Sequence, residues 1–162
     1  MKLIKTLLTI LFISLLSSPS WSETMDDLVE RNDLYYEKFT NVPFTGKVTG
    51  EEQGSFKNGK REGAWVEYFE NGQLKSNGHY KNGKYEGAWV FYYESGQLFT
   101  QGNYKNSKLK GAWVSYYENG QIWFKGNYKN DKEEGVWVGY NEDGTVFKPY
   151  TGTYKGGEKI SD

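Results

Sequence analysis

The sequence predicts an all-β chain: one elongated, twisted antiparallel sheet built of β-hairpin repeats of about 24 residues. Three observations carry this expectation. Trp65, Trp89, Trp113 and Trp137 stand 24 residues apart, each inside a near copy of one segment. A fixed period of this length marks an array in which one supersecondary unit stacks on the next. Turn dipeptides (Asn71-Gly72, Ser95-Gly96, Asn119-Gly120, Asp143-Gly144) fall between β-prone runs, where a tight hairpin needs positive φ. Aromatic residues make up 18% of the chain, beside 20 glycines, so rings and glycine must build a core that other proteins build from leucine.

The segments follow in order. Residues 1–22 read as a secretory signal peptide. Lys2 and Lys5 make a positive start, Leu7 to Leu16 is an apolar run, and Ser20 and Ser22 offer small residues for cleavage after Ser22. The apolar run is too short to span a bilayer. The expected location is periplasmic or secreted. The chain has no cysteine, which excludes disulfides and lipid attachment through an N-terminal cysteine. An exported fold without disulfides is held by packing. Residues 23–33 form an N-terminal tail, a short helix or a loose segment. Residues 34–62 form a capping hairpin and half repeat, with Leu34 to Phe39 folded against Phe44 to Val48 around Asn41, Val42 and Pro43. Residues 63–147 hold the full repeats. Residues 148–162 form a C-terminal cap and tail, where Lys148-Pro149 interrupts the period and proline suits a sheet edge. Atypical ends are what a repeat array needs for solubility.

Within the repeats the recurring positions predict a register. Gly63, Gly87, Gly111 and Gly135 precede each Trp by two residues, and Gly78, Gly102 and Gly126 precede Tyr80, Tyr104 and Tyr128 by two. A two-residue loop at Asn71-Gly72 pairs Phe69 with Leu74, Tyr68 with Lys75, Trp65 with Gly78 and Gly63 with Tyr80. Each bulky ring then faces a glycine that leaves it room. A slip of one residue would lose both pairs and swap the faces. Trp65, Phe69, Leu74, Gly78 and Tyr80 share the expected packed face. On the other face the Lys75 position becomes Phe99, Trp123 and Phe147. This predicts a stripe of rings, Tyr92/Phe99, Tyr116/Trp123 and Tyr140/Phe147, as the candidate partner-binding surface, because exposed aromatic patches mark contact sites. The alternative is that cross-strand rings only stabilise the sheet. The connections Lys57-Asn58-Gly59-Lys60, Lys81 to Lys84, Lys105 to Lys108 and Lys129 to Lys132 form a lysine rim that protects the edge.

No catalytic, metal or cofactor chemistry is expected. His79 stands alone, in a column that reads Asn103 and Asn127 elsewhere. Glu70, Glu94, Glu118 and Glu142 are polar strand ends before turns, and equal repeats on an open sheet offer no single cleft for acid–base work. Without the signal segment the chain is more acidic than its formal −1, which speaks against a nucleic-acid partner.

The segment from Gly78 through Tyr80, Lys81, Asn82, Gly83, Lys84, Gly87 and Trp89 to Tyr92 resembles the MORN repeat. With the added Glu70 to Leu74 and Glu94 to Leu98 it is closer to the bacterial MORN-variant repeat. The opening from Leu34 through Tyr35, Tyr36, Val42, Pro43 and Phe44 to Gly46 is similar to YwqK-like antitoxins. The resemblance implies a β-repeat fold and scaffolding, dimerisation or contact with membrane lipid, and the antitoxin likeness implies neutralising a partner toxin. The leading expectation is a non-enzymatic, exported protein-interaction module of the cell envelope. The rivals are an immunity role and binding to cell-wall glycan or a membrane surface, with self-association also open.

Overall fold

The computed structural model describes residues 23–162; the expected signal peptide lies outside them. A 3-10 turn, Met25–Asp27, precedes β1 (Leu28–Arg31), β2 (Leu34–Glu37), β3 (Gly46–Val48), β4 (Glu52–Lys57), β5 (Lys60–Tyr68), β6 (Leu74–Lys81), β7 (Lys84–Tyr85) and β8 (Gly87–Tyr92). Then come β9 (Leu98–Lys105), β10 (Lys108–Tyr116), β11 (Ile122–Lys129), β12 (Lys132–Gly139), β13 (Gly152–Lys155) and β14 (Glu158–Ser161). β1 and β2 form a separate two-stranded sheet. The rest is one twelve-stranded meander in the order β14-β13-β12-β11-β10-β9-β8-β6-β5-β4-β3, with β7 also beside β6. The pairs joining β3 through β14 are antiparallel. The sequence-derived fold class is the observed one.

The central register is also as expected: Trp65 faces Gly78 and Gly63 faces Tyr80, and the pairs return as Trp89 with Gly102 and Trp113 with Gly126. The loop is different. Gly72 N–H donates to the Phe69 carbonyl at 2.8 Å, and Phe69 N–H donates to the Gln73 carbonyl at 2.8 Å. Gly72 has φ 81°. This is a type I turn closed by a glycine bulge, with one residue more than a two-residue loop. Tyr68 therefore pairs with Leu74, not with Lys75. Asn71 favours the wider loop: its Oδ1 accepts from Gln73 N–H at 2.8 Å and its Nδ2 donates to the Glu94 carbonyl of the next unit at 3.1 Å. Asn119 repeats both bonds with Gln121 and Glu142. The tight two-residue turns belong to the lysine connections, where Asn58 and Gly59 have φ 50° and 76° and Asn82 and Gly83 have 51° and 77°.

Each Trp covers a glycine of the preceding hairpin and not the one it faces in its own. The ring turns away from its own hairpin and lies across the preceding one. A Cβ at Gly78 would stand 2.6 Å from Cγ of Trp89, at Gly102 2.7 Å from Cζ3 of Trp113, and at Gly126 2.6 Å from Cγ of Trp137, with other ring atoms nearer still. Trp65 covers Gly54 of the half repeat in the same way. The Trp column thus fastens each unit to its predecessor. The other glycines act differently: nothing lies within 4 Å of a Cβ at Gly63, which has φ +79°. Gly63, Ala64 and Trp65 together oppose Gly54, since Ser55 pairs with Glu62 and Gln53 with Val66. Gly63 serves a bulge, and bulges sharpen the local twist; it does not make room for Tyr80.

The core is a ladder of rings on one side of this sheet. Trp65, Trp89 and Trp137 are fully buried. Tyr80 lies between Trp65 and Trp89, edge-on to both with ring centroids 5.5 and 5.1 Å away. Tyr128 lies between Trp113 (5.9 Å) and Trp137 (4.7 Å). Such geometry adds about 0.5–1.5 kcal/mol per pair beyond burial. The indole N–H of Trp89 donates to the His79 carbonyl at 3.0 Å and that of Trp137 to the Asn127 carbonyl at 3.1 Å. Trp113 instead donates to Ser115 Oγ at 3.2 Å. The residue two beyond the Trp distinguishes these cases: Phe91 stacks on Trp89 at 5.7 Å, whereas Ser115 offers an acceptor.

The ends close the ladder. Residues 23–33 are not a loose tail. Thr24 N–H and Oγ1 both donate to Asp27 at 2.8 Å, and β1 follows, placing Leu28 in the core with Phe44, Val48 and Phe56. The hairpin expected between Leu34 to Phe39 and Phe44 to Val48 is reduced to a Tyr36–Pro43 bridge and a Phe44 N–H to Tyr35 carbonyl bond of 2.8 Å; β2 pairs with β1 and β3 with β4. At the far end the inserted residues bring Tyr150 against Phe124 and Trp137. The Lys159 stem crosses Gly152, where earlier units place a Trp.

Burial raises the phenols of this ladder. Tyr104 and Tyr128 are both pushed up to about 12, from 10.0, and Tyr80 and Tyr150 move the same way. Between these values the unfolded chain releases protons that the folded chain retains. The associated stability is fully present below pH 10 and is lost as pH rises through 12. Alkaline unfolding should therefore coincide with a cooperative rise in phenolate absorption. Independent, gradual ionisation near pH 10 with the fold intact would contradict it.

Candidate interaction surface

The surface is built at the loop ends of the hairpins. Because each loop carries a bulge, the expected ring pairs do not face one another. Tyr92 pairs with Leu98, Tyr116 with Ile122 and Tyr140 with Val146. Phe99 packs instead on Tyr93, with centroids 4.9 Å apart. Trp123 packs on Tyr117 at 5.7 Å and on Phe124 at 4.9 Å. Tyr93 and Tyr117 occupy a column that sequence reasoning placed on the packed face through Phe69. Their 24-residue spacing was visible; the bulge that moves them was not.

These tyrosines are fixed from below. Tyr93 Oη–H donates to the Tyr116 carbonyl at 2.8 Å and Tyr117 Oη–H to the Tyr140 carbonyl at 2.9 Å. One phenol therefore ties each loop to the next unit and holds its ring in place. Burial pushes the Tyr93 phenol up, which keeps it a donor. Trp123 and Phe147 remain 42% exposed, while Tyr92, Phe99, Tyr116 and Tyr140 are half-buried. Tyr140 receives Lys125 Nζ at 5.7 Å from its ring centre, and Tyr116 Oη takes a long contact of 3.4 Å from Gln101. In the first unit the corresponding position is Lys75, 3.9 Å from Glu67. The aromatic character therefore starts at the second unit. Farther along the strands a groove of about 220 Å³ runs between Ala88, Val90, Gln101, Asn103, Ala112 and Val114.

The opposite rim carries the lysines, of which Lys105 is paired with Glu86. Glu86 accepts from Lys105 at 2.6 Å and from Asn106 N–H at 3.1 Å, and these two bonds hold its carboxyl below the usual range. Glu62 accepts from Asn82 N–H at 2.7 Å and Glu134 from Gly156 N–H at 3.0 Å. The carboxylate before the Gly63, Gly87 and Gly135 bulges thus caps the next tight turn, while the third unit has Lys110 there and instead bonds Leu109 N–H to Asp131; the Glu62, Glu86 and Glu134 spacing displays this linkage, which the sequence reading did not draw. Among the described residues no group of His, Cys, Asp or Glu is placed to hold a metal ion.

A meander of hairpins bolted unit to unit, with varied side chains along one rim, defines a β-hairpin repeat array. Three consecutive segments, residues 61–82, 85–106 and 109–130, match the MORN repeat variant. Repeats of that kind commonly mediate protein or membrane interactions. No curated protein matches it. The matched segments begin after a tight turn and end within the next. The half repeat before them and the interrupted unit after them are the caps described above.

Proposed function

We propose that the protein is an exported, non-enzymatic module that binds another protein of the cell envelope through its loop rim. The observation that carries this reading is the ring pair returning one unit apart, Tyr93/Phe99 and Tyr117/Trp123, anchored by tyrosine hydroxyls and extended by exposed Phe147. Rigid aromatic anchors are the usual energetic centre of a protein interface. Export rests on Lys2, Lys5, the Leu7 to Leu16 run and Ser20 to Ser22.

The test is quantitative capture from an envelope extract with residues 23–162 as bait, beside the triple variant Phe99→Ser, Trp123→Ser, Phe147→Ser. A stoichiometric partner should bind the parent at least tenfold more tightly than the variant, since losing anchors of this kind costs about 2 kcal/mol or more. The variant's melting curve should stay close to the parent's, because these rings lie outside the Trp ladder. Equal capture by both would refute the rim as the site. The Leu34 to Gly46 likeness supports an immunity role as a second reading, and a toxin as the captured protein would decide for it. Pelleting of the bait with sacculi or anionic vesicles, with no protein partner, would replace both readings.

A further inference from the structure

We infer that the segment of partner protein seated on the loop rim is cationic: a lysine- or arginine-bearing stretch that lies extended across the loops and sets its charges between carboxylates and rings. This rests on the rim as the interaction surface and adds the partner's chemistry. The hairpin loops, residues 69–73, 93–97, 117–121 and 141–145, carry Glu70, Glu94, Glu118, Glu142 and Asp143 and no lysine or arginine. All five carboxylate residues are exposed. Asp143 is engaged locally, accepting from Thr145 N–H at 2.9 Å and from Thr145 Oγ1 at 2.6 Å. The four glutamates belong to no ion pair among the described residues. The opposite rim uses Glu62, Glu86 and Glu134 to cap turns, whereas the loop rim leaves its glutamates in water.

The backbone that carries these charges is fixed. Asn71 and Asn119 donate to the Glu94 and Glu142 carbonyls, and the Tyr93 and Tyr117 hydroxyls tie their loops to the next unit. One glutamate therefore recurs every second strand, about 10 Å on. Neighbouring carboxylates at that spacing still repel, since the screening length at physiological ionic strength is about 8 Å, and a cation between them relieves the repulsion. From Glu94 to Glu142 is about 20 Å, the reach of about six extended residues. Glu94 and Glu118 directly follow Tyr93 and Tyr117, so carboxylates alternate along the rim with the Tyr93/Phe99 and Tyr117/Trp123 ring pairs. A cation is attracted to a ring face within about 6 Å, and the rim already shows this once, at Lys125 over Tyr140. One unit earlier the same position is Gln101, which reaches only Tyr116 Oη. The lysines nearest the loops are engaged, Lys75 beside Glu67 and Lys125 on Tyr140, and Lys148 after Phe147 bounds the surface at its C-terminal end. The loop tips thus present one sign of charge, with the lysine connections at the far ends of the strands.

Fluorescence anisotropy on residues 23–162, which hold every described element, tests the inference. The probe is a labelled peptide of about twelve residues, alternating lysine and serine, so that every lysine shares one side when extended. The parent should bind it, and the same peptide with glutamate for lysine should stay unbound. Glu94→Gln, Glu118→Gln, Glu142→Gln together should weaken binding about tenfold or more, while Glu37→Gln, Glu133→Gln, Glu158→Gln, which removes equal charge away from the loops, should stay within about twofold. Trp123→Ser should weaken it about threefold or more with every carboxylate in place. Circular dichroism confirms the fold of each variant. No binding of the lysine peptide, equal binding of the glutamate peptide, or equal weakening by the two glutamine variants would each overturn the inference. Capture from the envelope extract separates it from the reading beneath it. A partner lost to the Phe99, Trp123, Phe147 variant but held at full affinity by the loop glutamine variant overturns the cationic segment and leaves the rim as the site. A partner held by both variants overturns the rim itself. Self-association of the parent that the loop glutamine variant abolishes would overturn the foreign segment in favour of a second copy's lysine rim.

Discussion

Trp89→Ala should lower stability by about 3–5 kcal/mol, the range for losing a fully buried large ring. For a domain of this size that corresponds to a melting temperature lower by roughly 10 °C or more. Trp89 is fully buried, touches Tyr80, Tyr85 and Phe91, donates to the His79 carbonyl and covers Gly78. Its removal bares a strip of backbone that no neighbouring side chain can cover. In an array each unit contacts only its neighbours, so the damage should have a place as well as a size. Hydrogen exchange should accelerate first in β6, β8 and β9, while β12 and β13 keep their protection. An unchanged melting curve would mean that the Trp side of the sheet is not the core. Uniform loss of protection along the chain would mean that the array melts as one block.

Gly102→Ala should cost about 1–3 kcal/mol, the range for forcing extra volume into a packed site. The new Cβ meets the Trp113 ring, with Cζ3 at 2.7 Å, and the ring cannot retreat because Tyr104 and Tyr128 stand edge-on to it at 5.7 and 5.9 Å. Gly111→Ala should also destabilise, by about 1–2 kcal/mol, for a different reason: φ is +81° and the space around it is empty. Asparagine separates the causes. Gly111→Asn should lose less than Gly111→Ala, since asparagine accepts left-handed backbone. Gly102→Asn should lose more than Gly102→Ala, since it is larger. Equal responses at both sites in urea melts would show that the two glycine columns do the same job.

Much of this architecture is legible in the chain because a repeat array is nearly one-dimensional. Period and strand pairing follow from local spacing, and Trp65 does oppose Gly78 as the two-residue loop implied, but only because the register shift that skips Lys75 offsets the extra loop residue. The candidate surface was less legible. Tyr92 and Phe99 were expected to pair, but a bulge of one residue hands Phe99 to Tyr93. Either loop length satisfies the hairpin pattern, and Asn71 selects between them through a bond to Glu94, a residue of the next unit.

What the sequence determined by itself is the all-β hairpin repeat, its antiparallel pairing at the strand centres and the ring-and-glycine core. Each follows from contacts within a hairpin, where spacing along the chain and distance in space are equivalent. Tertiary structure alone decided which glycine each tryptophan covers, which rings meet at the loop rim, and that Phe39 stands in water while Lys159 closes the last glycine. Those outcomes depend on how one unit lies against the next. That is a competition among side chains from different hairpins for the same space, and no single unit's sequence contains its result.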